Sequence, residues 1–289
     1  MPNEGIDMPG LTSELKKSLP KPVKAFLKRL YLAYLGALDL KFAAARRRDM
    51  MPPRSLYSVG DGDFKAIGLE FRTIFVEHGG LKPEDRVLDV GCGTGRMAVP
   101  LTNYLSANGK YCGFDIVKSG IDWCQDIIAA RFPNFQFCHS NIQNKAYNPQ
   151  GEVHASSYRF PYESGSFDFV FLTSVFTHLF PPDMENYLKE IARVLREGGV
   201  CLATFFFVNE ESESLIKKGM STQNFVHEIG GCYTTVLENP EQAIAFSELG
   251  IRDLYNKFGL SVQEPILYGS WCGRERFLSY QDIVIARKN

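Results

Sequence analysis

The stretch 86–95 constrains the fold of this chain more than any other part of the sequence, and it reads Arg-Val-Leu-Asp-Val-Gly-Cys-Gly-Thr-Gly. Its apolar positions 87, 88 and 90 predict a short strand that is buried on both faces. Three glycines follow at every second position: Gly91, Gly93 and Gly95. Glycine accepts a positive φ and lets a ligand approach the backbone, and the free amides of a following helix favour an anionic group. The stretch therefore predicts a strand, a tight turn and a ligand site.

The spacing of the glycines distinguishes between ligands. A dinucleotide-binding fingerprint requires its third glycine at position 96, which is Arg96. A phosphate-binding P-loop requires Gly-Lys-Ser/Thr, which does not follow. What remains is an acid, Asp89, two positions before a Gly-x-Gly-x-Gly turn. This pattern resembles the first motif of the class I S-adenosylmethionine-dependent methyltransferases, and the alternative is a glycine-rich turn without a ligand.

A second segment, 160–199, strengthens the resemblance. It contains Phe-Pro-Tyr-Glu-Ser-Gly-Ser-Phe-Asp-Phe-Val-Phe-Leu-Thr-Ser-Val-Phe-Thr-His-Leu and later Glu-Ile-Ala-Arg-Val-Leu-Arg-Glu-Gly-Gly. These runs are similar to the fourth strand, the following helix and the Gly-Gly turn of small-molecule methyltransferases. The resemblance covers about 81–207. Within it, we expect Asp168 to stabilise the start of its strand and not to contact a ligand.

Strand and helix patterns alternate after the glycine turn. Strands are predicted at 110–115, 135–139, 167–173 and 200–207, and helices at 97–105, 119–131 and 183–196. Such alternation predicts an α/β fold with a doubly wound, mostly parallel, Rossmann-like sheet that binds ligands at the carboxyl ends of its strands. A further helix is predicted within 240–258. The segments 260–268 and 277–286 predict a closing hairpin, which the resemblance identifies as an antiparallel C-terminal strand.

The resemblance implies S-adenosylmethionine as cofactor and S-adenosylhomocysteine as product. Asp89 is expected to orient the cofactor's amino group, and Asp115, which closes the second strand, to accept hydrogen bonds from the ribose hydroxyls. Nicotinamide dinucleotides use the same acid for the ribose. Asn141 stands where the family usually places an acid for the adenine amino group. The implied cofactor-binding residues are Asp89, Gly91, Cys92, Gly93, Gly95, Asp115, Ile116, Asn141, Ile142, Thr173 and Ser174.

Four residues are candidates for catalysis and acceptor binding. His178 follows the fourth predicted strand on the ligand side, where an imidazole could take the proton from an attacking hydroxyl; the alternative is a pocket-wall histidine. Tyr233 lies in an insertion at about 209–258 that we expect to contribute to the acceptor pocket. Trp271 offers a flat apolar face and Arg274 could hold an anionic or sugar-like group. Ordinary packing roles are the alternative for all three.

The first 80 residues predict a basic helical cap before a methyltransferase domain at 81–289. Residues 1–60 carry eleven Lys or Arg and five acids, a net charge of +6, and 22–48 has helical apolar periodicity. This helix could lie on an anionic membrane or pack across the domain as a lid, and we favour the lid. Asp61 or Asp63 is expected to cap the next helix, and Tyr57, Gly60 and Asp61 could line the pocket.

Composition narrows the classes of function. The net charge of -1 and the absence of an Asn-Pro-Pro-Tyr signature argue against nucleic acid as partner. Seven scattered cysteines without a Cys-x-x-Cys pair indicate reduced thiols in a cytoplasmic protein, and no ligand cluster predicts a metal.

Taken with the resemblance, these observations predict methyl transfer to a small molecule, at a hydroxyl of a lipid, sugar or secondary metabolite. The alternatives are an NAD(P)-dependent oxidoreductase and a non-catalytic binding protein that retains the fold. The missing third glycine disfavours the first, and the presence of both Asp89 and Asp115 argues against the second. The acceptor, the methylated atom and the oligomeric state stay open.

Overall fold

A computed structural model of the chain describes residues 21–56, 62–145 and 147–289, and in the first helix only part of the side chains. The helices are Lys21–Arg48, Phe64–Glu77, Ala98–Leu101, Lys118–Cys124, Pro181–Val194, Glu210–Lys217 and Glu248–Lys257. The strands are β1 (Arg86–Val90), β2 (Lys110–Asp115), β3 (Phe135–His139), β4 (Phe167–Leu172), β5 (Leu195–Phe205), β6 (Phe207–Val208), β7 (His227–Ile229), β8 (Cys232–Thr234), β9 (Ile244–Ser247), β10 (Leu260–Val262) and β11 (Asp282–Lys288).

The main sheet has seven strands in the order β10-β11-β5-β4-β1-β2-β3. Strands β1 to β5 pair in parallel, and β11 runs antiparallel to both β5 and β10. The predicted mostly parallel sheet with an antiparallel C-terminal strand is therefore confirmed. From β1, strands β2 and β3 extend the sheet to one side, whereas β4 and β5 extend it to the other. Ligands bind at such a reversal of strand order, so the turn after β1 lies at the expected binding point.

Aromatic side chains fill much of the core on the two faces of this sheet. On one face, Phe75 of the second helix packs against Phe169 and Phe171 of β4, with ring centroids 5.7 and 4.3 Å apart. On the other, Phe205 of β5 stacks on Phe176 at 5.1 Å. Because both faces are covered by helices, the strands are continuous apolar runs, which is why they were recognisable in the sequence.

The insertion between β5 and β10 differs most from the prediction. The helix predicted within 240–258 is confirmed only as Glu248–Lys257, because Ile244–Ser247 is strand β9. Together with β6, β7 and β8, it forms a second sheet in the order β6-β9-β8-β7, which the sequence analysis did not predict. These strands are two to four residues long, too short for an alternating pattern to distinguish them from loop. The predicted helix 97–105 is likewise shortened to Ala98–Leu101.

Asp168 holds the start of β4 to its neighbours, as predicted. Its carboxylate accepts hydrogen bonds from the backbone N–H of Arg86 at 2.8 Å, from Arg86 Nε at 2.9 Å and from Arg196 Nε at 2.5 Å. Although partial burial raises it, the pKa of Asp168 is lowered to about 2 because these donors favour the ionised form.

We expect Asp168→Asn to lower the free energy of unfolding by about 1–3 kcal/mol near neutral pH, since hydrogen bonds to a charged acceptor are lost. The pKa is lower in the folded protein, so this stabilisation is present above the ordinary carboxyl pKa and is lost as pH falls toward about 2. Urea unfolding over this pH range measures it. The control Asp122→Asn removes an exposed ion pair with Lys118 and should change stability by less than about 0.5 kcal/mol. Equal midpoints for the two variants would contradict the assignment.

The N-terminal helix Lys21–Arg48 forms as predicted, and its C-terminal end is attached to the domain. Arg131 donates from Nη1 to the Arg48 carbonyl at 2.9 Å and from Nη2 to the Arg47 carbonyl at 2.5 Å. Four of its apolar residues have exposed side chains: Val23, Leu30, Tyr34 and Phe42. The predicted lid packing is not seen at these four residues. Within the part of the chain that the structure describes, no helix combines the length and apolar character needed to span a membrane.

Asp63 caps the next helix, Phe64–Glu77, as one of the two predicted candidates. Its Oδ1 accepts from the backbone N–H groups of Lys65 at 2.8 Å and Ala66 at 2.9 Å. The predicted pocket residues Tyr57, Gly60 and Asp61 lie outside the described residues.

Candidate active site

A cavity of 740 Å³ lies at the carboxyl ends of the central parallel strands. Residues at or directly after the carboxyl ends of β1, β2 and β4 line it, at 91–94, 115–117 and 173–175. This volume is in the upper half of the range of about 300–1,000 Å³ for ligand pockets. The cavity therefore has room for a cofactor and a small acceptor, at the edge of the sheet where the sequence predicted a ligand.

The glycine turn after β1 needs its glycines for two different reasons. Gly91, Gly93 and Gly95 all have positive φ, of 82°, 53° and 83°. A Cβ on Gly91 would lie 2.5 Å from Val175 Cγ2, and one on Gly95 would lie 2.6 Å from Ile128 Cδ1. A Cβ on Gly93 would meet no atom within 4 Å, so the backbone there is open to the cavity. The turn is thus tightly packed at Gly91 and Gly95, and at Gly93 its backbone is accessible to a ligand.

Asp89 is a buried carboxyl with half of its hydrogen-bonding capacity unused. Its side chain lines the cavity, Tyr111 donates its hydroxyl to Oδ2 at 2.5 Å, and Oδ1 has no partner within the described residues. Burial raises the pKa of Asp89 to about 8, because the charged form is poorly solvated there. A cationic group that reaches Oδ1 from the cavity would supply both the missing partner and the compensating charge.

Asp115 connects β2 to the glycine turn. Its Oδ2 accepts from the Gly93 N–H and its Oδ1 from the Val117 N–H, both at 2.8 Å. Each oxygen retains a lone pair for a further donor, and the residue lines the cavity. Burial raises the pKa of Asp115 above its ordinary value, although the backbone N–H groups of Val117, Gly93 and Ile116 offset part of the rise. The carboxylate is held rigidly where two neighbouring hydroxyls could donate to it.

Ser174 has a strained backbone at the end of β4. Its φ is 58°, in the left-handed region that residues other than glycine rarely adopt. Its N–H donates to Thr204 Oγ1 at 2.8 Å and its hydroxyl donates to Gln281 Oε1 at 3.0 Å. These bonds fix Ser174, beside Thr173, on the cavity wall.

His178 lines the same cavity, and its hydrogen bond determines which ring nitrogen carries the proton. Its Nδ1 lies 2.8 Å from the Glu241 carbonyl oxygen, and since a carbonyl can only accept, Nδ1 carries the hydrogen. Nε2 is then the unprotonated nitrogen, and it has no partner within the described part of the chain. Burial lowers the pKa of His178, so the ring is neutral at neutral pH.

Comparisons with known proteins agree with this geometry. A family model described as methyltransferase domain matches residues 88–203, which include the end of β1, the glycine turn and His178. Among solved structures, PH0226 from Pyrococcus horikoshii OT3 superposes with a TM-score of 0.55 at 15% identity, over 81% of this chain and 95% of that one. A methyltransferase from Methanosarcina mazei gives 0.50 at 22% identity, over 74% and 96%. These two structures support the fold.

Residues 88–203 therefore match a methyltransferase domain, and the fold is that of the class I S-adenosylmethionine-dependent methyltransferase family. S-adenosylmethionine is the cofactor of this family and S-adenosylhomocysteine the product. Among curated relatives, the sterol 24-C-methyltransferase of Schizosaccharomyces pombe is 30% identical over 139 residues, which are 48% of this chain and 32% of that protein. The demethylmenaquinone methyltransferase of Oceanobacillus iheyensis is 29% identical over 122 residues, 42% of this chain and 44% of that protein. The chain therefore matches less than half the length of either relative.

The residues of this methyltransferase domain fit the cofactor. The unpartnered Asp89 Oδ1 suits an amino group, the two remaining lone pairs of Asp115 suit ribose hydroxyls, and the open backbone at Gly93 admits a ligand. Ile116 and Ile142 also line the cavity, as does Cys92. Gly95 lies against Ile128 behind the turn, and Asn141 is exposed outside the cavity lining, where Asn148 Nδ2 donates to its Oδ1 at 3.4 Å.

Trp271 and Arg274 do not lie where the sequence analysis placed them. Trp271 is fully buried against Phe206, with ring centroids 5.4 Å apart, and its Nε1 donates to Asp282 Oδ2 at 2.8 Å. Arg274 is buried as well and is paired with Asp282 at 3.0 Å and Glu211 at 2.7 Å. Both side chains donate hydrogen bonds to the buried Asp282 carboxylate, and neither of them lines the cavity.

Tyr233 is also absent from the cavity lining; it lies in β8, half-buried against the small apolar core of the insertion. The sequence analysis missed several polar residues that do line the cavity. They come from loops and, for one of them, from the short 3₁₀ helix Pro240–Gln242, where no sequence pattern indicates which side chains point inward: Gln143, Asn144, Tyr147, Gln223, Gln242 and Gln281.

Proposed function

We propose that this protein transfers a methyl group from S-adenosylmethionine to a hydroxyl of a small molecule. One observation carries the proposal: a single cavity contains both the unpartnered carboxyl oxygen of Asp89 and the unprotonated Nε2 of His178. The first suits the cofactor's amino group and the second suits a proton from the acceptor.

The roles of the chain's own residues follow from their contacts. Asp89 would hold the amino group of the cofactor, and Asp115 would hold its ribose hydroxyls. The glycine turn would let the adenosyl group come close to the backbone at Gly93. When bound, the cofactor supplies a methyl group that a nucleophile can attack at carbon. His178 Nε2 would accept the proton of the attacking hydroxyl, while its Nδ1–H stays bonded to the Glu241 carbonyl. Holding the hydroxyl in place supplies a further share of the rate.

The names of the relatives support a small-molecule acceptor without fixing the methylated atom. One relative is named a sterol 24-C-methyltransferase and another a demethylmenaquinone methyltransferase. We favour oxygen because a hydroxyl needs a base to become a good nucleophile, and His178 provides one next to an acceptor-sized space.

Calorimetry and product analysis test the proposal. We expect the full chain to bind S-adenosylhomocysteine and not NAD, and a library of hydroxyl, amine and carbon acceptors to give a product with a new O–CH₃ group by mass spectrometry and NMR. Binding of NAD alone would favour the oxidoreductase alternative. Binding of S-adenosylhomocysteine with no methylated product from the library would favour a binding protein.

The exposed apolar residues of the N-terminal helix support a separate proposal of peripheral contact with an anionic membrane. Val23, Leu30, Tyr34 and Phe42 are exposed on a segment with a net positive charge. The seven free thiols support a cytoplasmic location for that contact. We expect the full chain, and not a variant lacking residues 1–48, to float with phosphatidylserine-containing liposomes. Equal flotation of both, or of neither, would contradict the proposal.

A further inference from the structure

The cavity divides into two sides by the origin of its lining. The cofactor side comes from the family-matched segment 88–203, whereas much of the other side comes from the second helix, the insertion and the loop before β11. We call this second side the acceptor wall. Its polar members are Glu70, Gln223, Gln242, Ser279, Tyr280 and Gln281.

Gln281 lies at the junction between the two sides. Its Oε1 accepts from the Ser174 hydroxyl at 3.0 Å, and its Nε2 has no partner within the described residues. The backbone around it is fixed, because the Trp271 N–H donates to the Tyr280 carbonyl at 3.1 Å and the Gly269 N–H donates to Asp282 at 2.7 Å. The unpartnered half of this amide therefore belongs to a residue of the cavity lining whose Oε1 is held by Ser174.

A second unpartnered group lies beside His178. Thr177 is buried, its Oγ1 has no hydrogen-bond partner within the described part of the chain, and it lines the cavity. A buried hydroxyl without a partner is costly, which points to a ligand group that completes it. Gln223 is half-buried, and its Nε2 makes only a long hydrogen bond, of 3.4 Å, to the Tyr280 hydroxyl.

These groups match neighbouring hydroxyls better than an apolar skeleton. A hydroxyl both donates and accepts, and so do the amide of glutamine and the hydroxyl of threonine. An apolar acceptor would cover Thr177 and Gln281 and leave them unpaired. The carboxylates of Glu70 and Asp115 face the same cavity as the single lining arginine, Arg96, so the described lining gives an anionic acceptor no net attraction.

We propose that the acceptor is a neutral polyhydroxylated molecule of the sugar or glycoside class, oriented by Thr177, Gln223 and Gln281. This inference rests on the proposed methyl transfer. One hydroxyl of the acceptor would give its proton to His178 Nε2, and adjacent hydroxyls would bond to Thr177 Oγ1 and to the free amide half of Gln281. Flat ring faces would pack on Phe206, which also lines the cavity.

The test uses the full chain saturated with S-adenosylhomocysteine. Methyl α-L-rhamnopyranoside, methyl α-D-mannopyranoside and methyl β-D-glucopyranoside are titrated by saturation-transfer NMR, with cyclohexanol as a probe of the same ring size and one hydroxyl. The glycosides are then assayed as methyl acceptors against 1-naphthol. We expect at least one glycoside to bind and to be methylated, and cyclohexanol not to bind.

Two variants and a control sharpen the test. Thr177→Val keeps the side-chain shape and removes a hydroxyl that is unpartnered in the free protein. The midpoint temperature of thermal unfolding of this variant should therefore not be lower than that of the wild type. Thr177→Val and Gln281→Leu should each raise KM for the glycoside by about tenfold or more, and Thr177→Val should leave the affinity for S-adenosylhomocysteine within about twofold. The control Gln136→Leu, on the exposed face of β3, should change neither quantity.

The outcomes separate the two proposals. If S-adenosylhomocysteine binds and 1-naphthol is methylated while no glycoside binds, the sugar assignment is overturned and methyl transfer stands. Unchanged KM in both variants would likewise overturn it. If S-adenosylhomocysteine itself does not bind, the proposed function fails and the acceptor inference fails with it.

Discussion

Asp89→Asn is expected to weaken the binding of S-adenosylhomocysteine by about ten- to hundredfold, because the amide cannot supply the charge of a hydrogen bond to an ammonium group. The substitution is nearly isosteric and keeps an acceptor oxygen for the Tyr111 hydroxyl, which lies 2.5 Å from the carboxyl. Folding should therefore be retained. Isothermal titration calorimetry measures the change in Kd directly.

The raised pKa of Asp89 gives this prediction a pH dependence. In the free protein the pKa of the carboxyl is about 8, so at neutral pH it mostly carries a proton. An ammonium group bound at Oδ1 favours the ionised form, and binding should release that proton. The affinity should then rise with pH by up to about tenfold per unit below pH 8, and Asp89→Asn should abolish this slope.

The same pKa determines the effect of Asp89 on folding. Since the pKa is higher in the folded than in the unfolded chain, the folded state retains a proton that the unfolded state releases. Any stabilisation from the protonated form is complete below about pH 4 and is lost as pH rises through about 8. Asp89→Asn should flatten the loss of stability over this range in urea titrations of the free protein.

A matched substitution controls for removing a carboxylate. Asp253 is exposed on the helix Glu248–Lys257, away from the cavity lining. Asp253→Asn should leave Kd and its pH dependence unchanged. If Asp89→Asn bound S-adenosylhomocysteine as tightly as Asp253→Asn, the amino-group role of Asp89 would have to be abandoned.

The fold and the cofactor side of the cavity could be predicted from sequence because their signals are local. The apolar run of β1, the acid Asp89 and the alternate glycines lie within ten residues, and a turn with positive φ at Gly91 and Gly95 tolerates few other residues. Asp115 was recognisable because it ends a strand at the edge where ligands bind.

The acceptor side could not be predicted because its residues meet only through the fold. Ser174 and Gln281 are 107 positions apart in the chain, yet their side chains are hydrogen-bonded. Trp271 and Arg274 have side chains typical of ligand recognition, but both of them bind the buried Asp282 carboxylate instead. No sequence pattern shows that a carboxylate will be buried and will need such partners.

His178→Gln is expected to lower kcat by about 10²- to 10⁴-fold with an alcohol acceptor, which is the usual contribution of a general base. The glutamine side chain can still donate to the Glu241 carbonyl, now bonded to Nδ1 at 2.8 Å, so it preserves the structural contact. It cannot take a proton near neutral pH. Single-turnover methyl transfer at saturating cofactor separates this loss from any change in product release.

The pH profile distinguishes a base from a residue that only shapes the pocket. Burial lowers the pKa of His178, so the neutral ring predominates at neutral pH and the wild-type rate should fall only on the acid side of that lowered value. The acid limb should be missing in His178→Gln, and the exposed control His78→Gln should retain the wild-type profile. If His178→Gln turned over an unactivated alcohol within about threefold of wild type, the proton would have to leave by another route, since a general base contributes far more than that. His178 would then be a wall residue whose bond to Glu241 holds the insertion against the cavity.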